Sequence, residues 1–291
     1  MKNIVISSQE KKWDSLIRDV PGADIFFTRK FSDFSKALLF YYDDGNNRAI
    51  FPFVTSGSTM CSQRYGGIIL KKKDGSFFKK AADELYSYCR NNDLNAIIIR
   101  KHPFAPVLTL GEPVKTEPFV YIELDKKIDE IRSYITKHHQ KNINKACNND
   151  LGIAESRSVT ELTTFYSFYS GKMKEKNIKD HGFEYFQRLS SCLKDKLRYI
   201  SVKSKNEVIA VSLVLESDLN AYMLYGSMSD EGYKKLAKYY MIFNLISKYK
   251  AKGFRRLVLG TGNAGNDPIY NFKRGFQDKD HYIDTYEKKI A

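Results

Sequence analysis

The sequence predicts an α+β protein of two tandem units, each a mixed sheet flanked by helices. Three observations lead there. Short β-branched segments alternate with helical stripes, the order of elements occurs twice, and the copies lie at a nearly constant offset of about 160 residues, a mark of internal duplication. With 291 residues, 42% of them hydrophobic, the chain is long enough to build two cores.

The second copy has the cleaner signals. Residues 198–202 and 208–215 are β-branched and partly alternating, and the polar turn Ser204-Lys205-Asn206-Glu207 between them makes a hairpin. A third strand spans 221–227. Asp230 then offers an N-cap to a helix whose Leu236, Tyr239, Tyr240, Phe243 and Ile246 share a face, and Gly253 ends it. A strand at 256–259, a glycine-rich turn at 260–265, a short helix opening at Asp267-Pro268 and a last strand at 281–286 complete the copy.

The first copy repeats the order: a strand at 49–54, Gln63-Arg64-Tyr65-Gly66-Gly67 before a strand at 68–70, a helix at 76–90 and a strand at 96–99. Ile50 then falls on Ile209, Tyr65-Gly66 on Tyr225-Gly226 and Ile97 on Leu257. Between the copies, Ile128, Ile131, Ile135, His139, Ile143 and Ala146 form one stripe and predict a single helix at 126–148, assigned to the second unit. Helices at 159–176 and 183–193 follow, joined by a loop at 177–182. The expected units are therefore 1–125 and 126–291.

The formal net charge is +14, from 48 Lys and Arg against 34 Asp and Glu. Such a chain attracts polyanions, whether phosphate-bearing substrates, RNA or acidic membrane surfaces; an ordinary surface dressed in lysine is the other reading. Cys61, Cys89, Cys147 and Cys192 form no C-x-x-C pair and follow no secretory leader, which fits a reduced, cytoplasmic setting. The apolar runs fall far short of the roughly 20 residues a bilayer span needs, so any membrane contact is peripheral. No Ser-His-Asp or Cys-His arrangement, no H-x-x-x-H spacing and no phosphate loop ending in Gly-Lys-Ser/Thr is present, and no metal ligands are assigned.

The series of hairpin, strand ending in Tyr225-Gly226-Ser227, helix ending at Gly253, strand ending in Leu259-Gly260, glycine-rich turn and Phe272-Lys273-Arg274-Gly275-Phe276 resembles the C-terminal unit of the Fem peptidoglycan aminoacyltransferases. Asn142-Ile143-Asn144-Lys145-Ala146 with Gly152-Ile153 is similar to that family's Arg-x-x-Ile-x-x-Ala helix. The resemblance implies two GNAT-like units, the first degenerate and on the acceptor side, the second holding the transferase cleft. It implies transfer of an acyl or aminoacyl group to an amine of a cell-envelope precursor, a peptidoglycan peptide or an amino sugar. No tightly bound cofactor is expected. The co-substrate is acyl-CoA or aminoacyl-tRNA, and the acceptor bears phosphate, as a small molecule or linked to lipid. Residues 229–234, where acetyl-CoA enzymes carry a glycine-rich pyrophosphate loop, hold the carboxylates Asp230 and Glu231, and both donors stay open.

Transfer to an amine needs a neutral nucleophile, a polarised carbonyl and a proton for the leaving atom. Lys273 is the residue singled out: on a short helix beside the expected cleft its cation would stabilise the oxyanion, the role the resemblance gives to the family's Phe-Lys lysine. Tyr225 and Gly226 end the central strand, where a splayed sheet leaves a backbone N–H for the acyl oxygen; sheet packing is the competing explanation for Tyr225. Expected substrate contacts are Lys36, Arg64, Tyr65, Lys141, Asn263, Tyr270 and Arg274. Lys36 follows a segment similar to the family's Gln-x-x-x-Trp region, and Lys141 belongs to the ridge Lys137, Lys141, Lys145, which otherwise is simply a solvated helix face. His139, on the apolar stripe, reads as a satisfied, partly buried histidine rather than a base. A second function class is a non-catalytic RNA- or polyanion-binding protein on a degenerate acyltransferase scaffold.

Overall fold

The computed structural model describes residues 4–7, 11–262, 267–277 and 279–291. The chain divides into one unit of residues 1–117 with 283–291 and a second of 118–282. The first holds β1 (Ile4–Ser7), α1 (Lys12–Arg18), α2 (Arg29–Ser35), β2 (Leu38–Asp43), β3 (Arg48–Ser56), β4 (Thr59–Ser62), β5 (Ile69–Leu70), α3 (Gly75–Asn91) and β6 (Ala96–Arg100). Next comes β7 (Glu112–Glu123), followed in the second unit by α4 (Ile128–Tyr134), α5 (Lys137–Cys147), β8 (Leu151–Ser156), α6 (Val159–Glu175) and α7 (Phe183–Leu193). The remaining elements are β9 (Leu197–Ser204), β10 (Glu207–Glu216), β11 (Asn220–Met228), α8 (Asp230–Lys234), α9 (Ala237–Ala251), β12 (Arg256–Thr261), α10 (Pro268–Arg274) and β13 (His281–Lys289).

Each unit lays its strands in the same order. In the first, β1, β2, β3 and β4 pair antiparallel, β4 pairs parallel with β6, and Thr285–Lys289 of the chain's last strand closes the sheet against β6. In the second, β8, β9, β10 and β11 pair antiparallel, β11 pairs parallel with β12, and Phe119–Glu123 of β7 closes against β12. Ile97 pairs with Met60, and Leu257 with Ala221, which is the repeat read from the sequence. The final strand of each sheet comes from a part of the chain the repeat does not predict. For that reason the boundary falls after Glu117 rather than at 125/126, and the last residues return to the first unit. Phe119, Val120 and Ile122 are buried in the second unit, whose core includes Val120 and Ile122.

Two helices differ from expectation. The stripe is buried from Ile131 to Ala146 and half-buried at Ile128, yet the helix breaks between α4 and α5: Ile135 is extended, Thr136 caps α5 with its side chain, and its N–H goes to Gly275 O at 3.0 Å. Threonine competes well for such cap positions. The helix after β11 likewise splits. Ser229, not Asp230, caps the short α8, and Leu236 takes a left-handed φ of 59° before α9 starts. The buried face of α9 is Ala237, Met241, Ile242, Leu245, Ile246 and Tyr249, while Tyr239, Tyr240 and Phe243 are only partly covered.

Gly111 shows how tightly the last strand docks in the first unit. Its φ is +77°, and a Cβ there would lie 1.9 Å from Glu287 O. Gly111→Ala is expected to destabilise that unit by about 3 kcal/mol, the sum of left-handed strain and overpacking against main chain. Denaturant midpoints measure it, and a shift worth under about 1 kcal/mol would contradict the docking.

Candidate active site

In the second unit the parallel ladder between β11 and β12 runs from Asn220↔Arg256 to Tyr222↔Val258, and among the described residues it stops there. Beyond it the two strands part. On β11 the register against β10 shifts between Leu213 and Val214, so that Leu224 has no partner in the ladder. Such a bulge re-aims the residues after it. Tyr225 and Gly226 consequently face opposite sides of the sheet.

Tyr225 points to α6 and α7. Its ring meets Tyr169, His181, Tyr185 and Phe186 edge-on, and its hydroxyl lies 2.9 Å from the Tyr185 hydroxyl and 3.5 Å from His181 Nε2. The loop before α7 holds His181 in place. Asp180 accepts from the Tyr166 hydroxyl at 3.0 Å and from the Gly182 N–H at 3.0 Å, and His181 stacks on Tyr185 with ring centroids 4.4 Å apart.

Gly226 points to α9. A Cβ there would come within 2.3 Å of Lys238 Nζ, so glycine is what admits this ammonium. Lys238 donates to Val211 O at 3.2 Å. Burial, with the positive charge of Lys273 added, pulls its pKa down from 10.5 to about 8. Lys273 arrives from α10, whose start is set by the Asp267 cap and Pro268, and donates to Thr261 O at 2.8 Å. Two lysines therefore meet where β11 and β12 separate. A pair of neighbouring cations is suited to negative charge that develops during a reaction.

The structure sorts the residues expected from the sequence. Lys273, Tyr225 and Gly226 are gathered at this gap. Tyr270 and Arg274 are turned instead to Asp280: the Tyr270 hydroxyl donates to it at 3.3 Å, and Arg274 pairs with it and donates to Gln277 O at 2.6 Å, which ties the turn after α10. Lys141 is exposed on the outer side of α5 with Lys137 and Lys145, the solvated face allowed above. Asn263 lies outside the described residues. In the first unit, Tyr65 is 3% exposed and packs on Phe26 and His102, which makes it a core residue; Arg64 lies over its ring at 6.0 Å. Lys36 is exposed and ends α2 in the left-handed conformation. The counterpart of the gap is zipped shut in that unit: Gly66 bridges to Lys101, with Gly66 N–H donating to Arg100 O and His102 N–H to Gly66 O, both at 2.8 Å.

His139 is buried among Tyr239, Phe272 and Phe276, with Nε2 2.7 Å from Phe272 O and Nδ1 3.2 Å from the Thr136 hydroxyl. It is a structural histidine. Burial lowers its pKa from 6.5, so the unfolded chain binds the proton more readily. The stability it contributes is present above about pH 6.5 and is lost as pH falls toward its lowered native value, and urea midpoints taken across that range should show the decline.

Sequence reasoning missed Lys238, His181 and Tyr185. Nothing local marks Lys238 among so many lysines, and His181 and Tyr185 gain meaning only from contacts with a strand 40 or more residues away.

Residues 139–274, from α5 to the end of α10, match the acetyltransferase (GNAT) domain family. No curated protein matches the sequence. Among solved structures, FemX superposes with a TM-score of 0.70 at 12% identity over 98% of this chain and 97% of its own. L-PGS from Bacillus licheniformis gives 0.61 at 13% identity over 99% and 94%, and a tandem GNAT protein from the clavulanic acid biosynthesis pathway gives 0.58 at 8% identity over 100% and 98%. At such identities the likeness is one of fold. Residues 139–274 thus carry the match to the acetyltransferase (GNAT) domain family, in a chain with a tandem GNAT-like fold.

Proposed function

We propose that the second unit transfers an acyl or aminoacyl group to an amine of a cell-envelope precursor, a peptidoglycan peptide or an amino sugar, and that the acceptor bears phosphate, free or lipid-linked. The observation that carries this reading is the pair Lys238 and Lys273 at the parting of β11 and β12. An acyl carbonyl placed there meets a cation as it becomes an oxyanion. On the other side of the strand, the hydroxyls of Tyr225 and Tyr185 with His181 form a polar, aromatic-walled surface for the acceptor, and a route for the proton its nitrogen sheds. The likeness to FemX and to L-PGS, and the Fem resemblance in the sequence, support an aminoacyl donor and a cell-envelope acceptor. The net charge of +14 suits tRNA or CoA equally. The closed gap of the first unit supports placing the chemistry in the second.

The test is transfer itself. Acetyl-CoA, or a pool of aminoacylated tRNA, is incubated with the protein and a panel of amine acceptors that includes a peptidoglycan-precursor peptide and an amino sugar. Thiol or deacylated tRNA should be released in step with loss of the acceptor's amine. Tight RNA binding with no acceptor-dependent release from either donor would favour the polyanion-binding alternative.

A further inference from the structure

Lys238 occupies an unusual place for a lysine. A lysine that merely covers apolar surface runs its stem along the protein and leaves its ammonium in water. This one turns its ammonium inward, onto the main chain of Gly226 and the carbonyl of Val211. Among the described residues, β10 meets it with the Val211 carbonyl and has the Ser212 hydroxyl close by, β11 meets it with the main chain of Gly226, and α10 adds the like charge of Lys273. Its charged form is thereby disfavoured, and the group changes protonation near pH 8. Below that pH the ammonium predominates, so at neutral pH it is poised to give a proton rather than take one. It also stands on the α9 side of β11, across the strand from Tyr225 and His181.

We propose that Lys238 is the general acid of the transfer, delivering a proton to the sulfur or oxygen that leaves the acyl donor. The inference rests on the transfer reading above. As the acceptor's neutral amine forms the new N–C bond and the tetrahedral centre collapses, the C–S or C–O bond breaks and its electron pair stays on the leaving atom. An N–H of the Lys238 ammonium supplies the proton that completes the thiol or hydroxyl. The surplus proton of the acceptor nitrogen departs on the Tyr225 and His181 side to water, water reprotonates Lys238, and the cycle consumes no net proton. Lys273 keeps the separate task of steadying the oxyanion.

The test compares leaving groups in wild type, Lys238→Met and Lys238→Arg, each first checked for an unchanged melting midpoint. Rates are read against pH with acetyl-CoA and alanyl-tRNA, and with S-phenyl thioacetate and alanine phenyl ester, whose leaving groups depart as stabilised anions. With the physiological type of donor, the wild-type rate should fall as pH rises through about 8. Lys238→Met should lose about 10²-fold or more in kcat with KM unchanged, and on the matching phenyl donor the loss should shrink to within about 3-fold. Lys238→Arg keeps the charge but holds its proton, and should be as slow as the Met variant. Equal losses on both kinds of leaving group, or recovery by Arg, would overturn the proposal in favour of a purely electrostatic or structural lysine. A wild type that transfers while Lys238→Met is fully active removes this inference alone. A wild type that transfers from none of the donors removes the reading beneath it as well.

Discussion

Lys273→Met is expected to lower kcat by about 10²-fold or more while leaving the fold intact, the scale on which loss of one oxyanion donor is felt. Asp267 and Pro268 start α10 at a fixed point after β12, and α10 is just long enough for its last turn to bring Lys273 back over the strand end. There Nζ reaches Thr261 O, beside Gly260 and within electrostatic reach of Lys238. A methionine of similar length fills the same space without charge. Stability should hardly change, because a partly exposed lysine rarely contributes more than about 1 kcal/mol. A coupled effect gives the prediction a second edge. Lys273 is one of the two causes that lower the Lys238 pKa, so its removal should move the alkaline limb of the pH–rate profile to higher pH. Full turnover in the Met variant, or an alkaline limb that does not move, would contradict this account of the gap.

Arg198→Met should carry the largest cost in stability, about 4 kcal/mol, with no direct role in transfer. Arg198 opens β9 and is 4% exposed; its guanidinium pairs with Glu216 of β10, which is 5% exposed, and lies 3.4 Å from Glu155 of β8. Lys248 of α9 and Lys252, which caps that helix, complete the network, Lys252 reaching Glu216 at 3.2 Å. Removing the arginine leaves the Glu216 carboxylate buried with one half-exposed cation, and breaking one side of a buried pair costs far more than the intact pair contributes. Arg198→Met/Glu216→Leu should recover most of the loss, since replacing both partners leaves no stranded charge. Urea midpoints of the two single variants and the double variant form the cycle that decides it. A double variant as unstable as the sum of the singles would show that the pair is not the unit that matters.

The legible part of this protein was whatever local chemistry writes. Alternation fixed β9 and β10, and the polar turn between them fixed their hairpin. The apolar stripe from Ile131 to Ala146 was buried as its spacing required, and Asp267-Pro268 marked the start of α10 to the residue. Repetition of that order made the two units visible, and through it Lys273 could be set beside the end of β11. Periodicity is blind to interruptions that preserve it, however. Thr136 breaks a helix without disturbing the stripe, because its N–H is claimed by Gly275 O, some 139 positions along the chain. The closing strands were illegible for the same reason. Whether residues 119–123 pair with β12, and 285–289 with β6, depends on which sheet edge stands open, which no window of sequence records.

The sequence by itself determined the tandem α+β order, the basic character and the position of Lys273 at the end of a strand–turn–helix passage. Tertiary structure alone decided the chemistry around it: that Gly226 admits the ammonium of Lys238, that Lys273 sits near enough to lower its proton affinity, and that a bulge at Leu224 turns Tyr225 toward His181 and Tyr185. The physical reason is that a lysine's charge state is a property of its surroundings. Burial and a neighbouring cation set it, and both are supplied by residues distant in the chain.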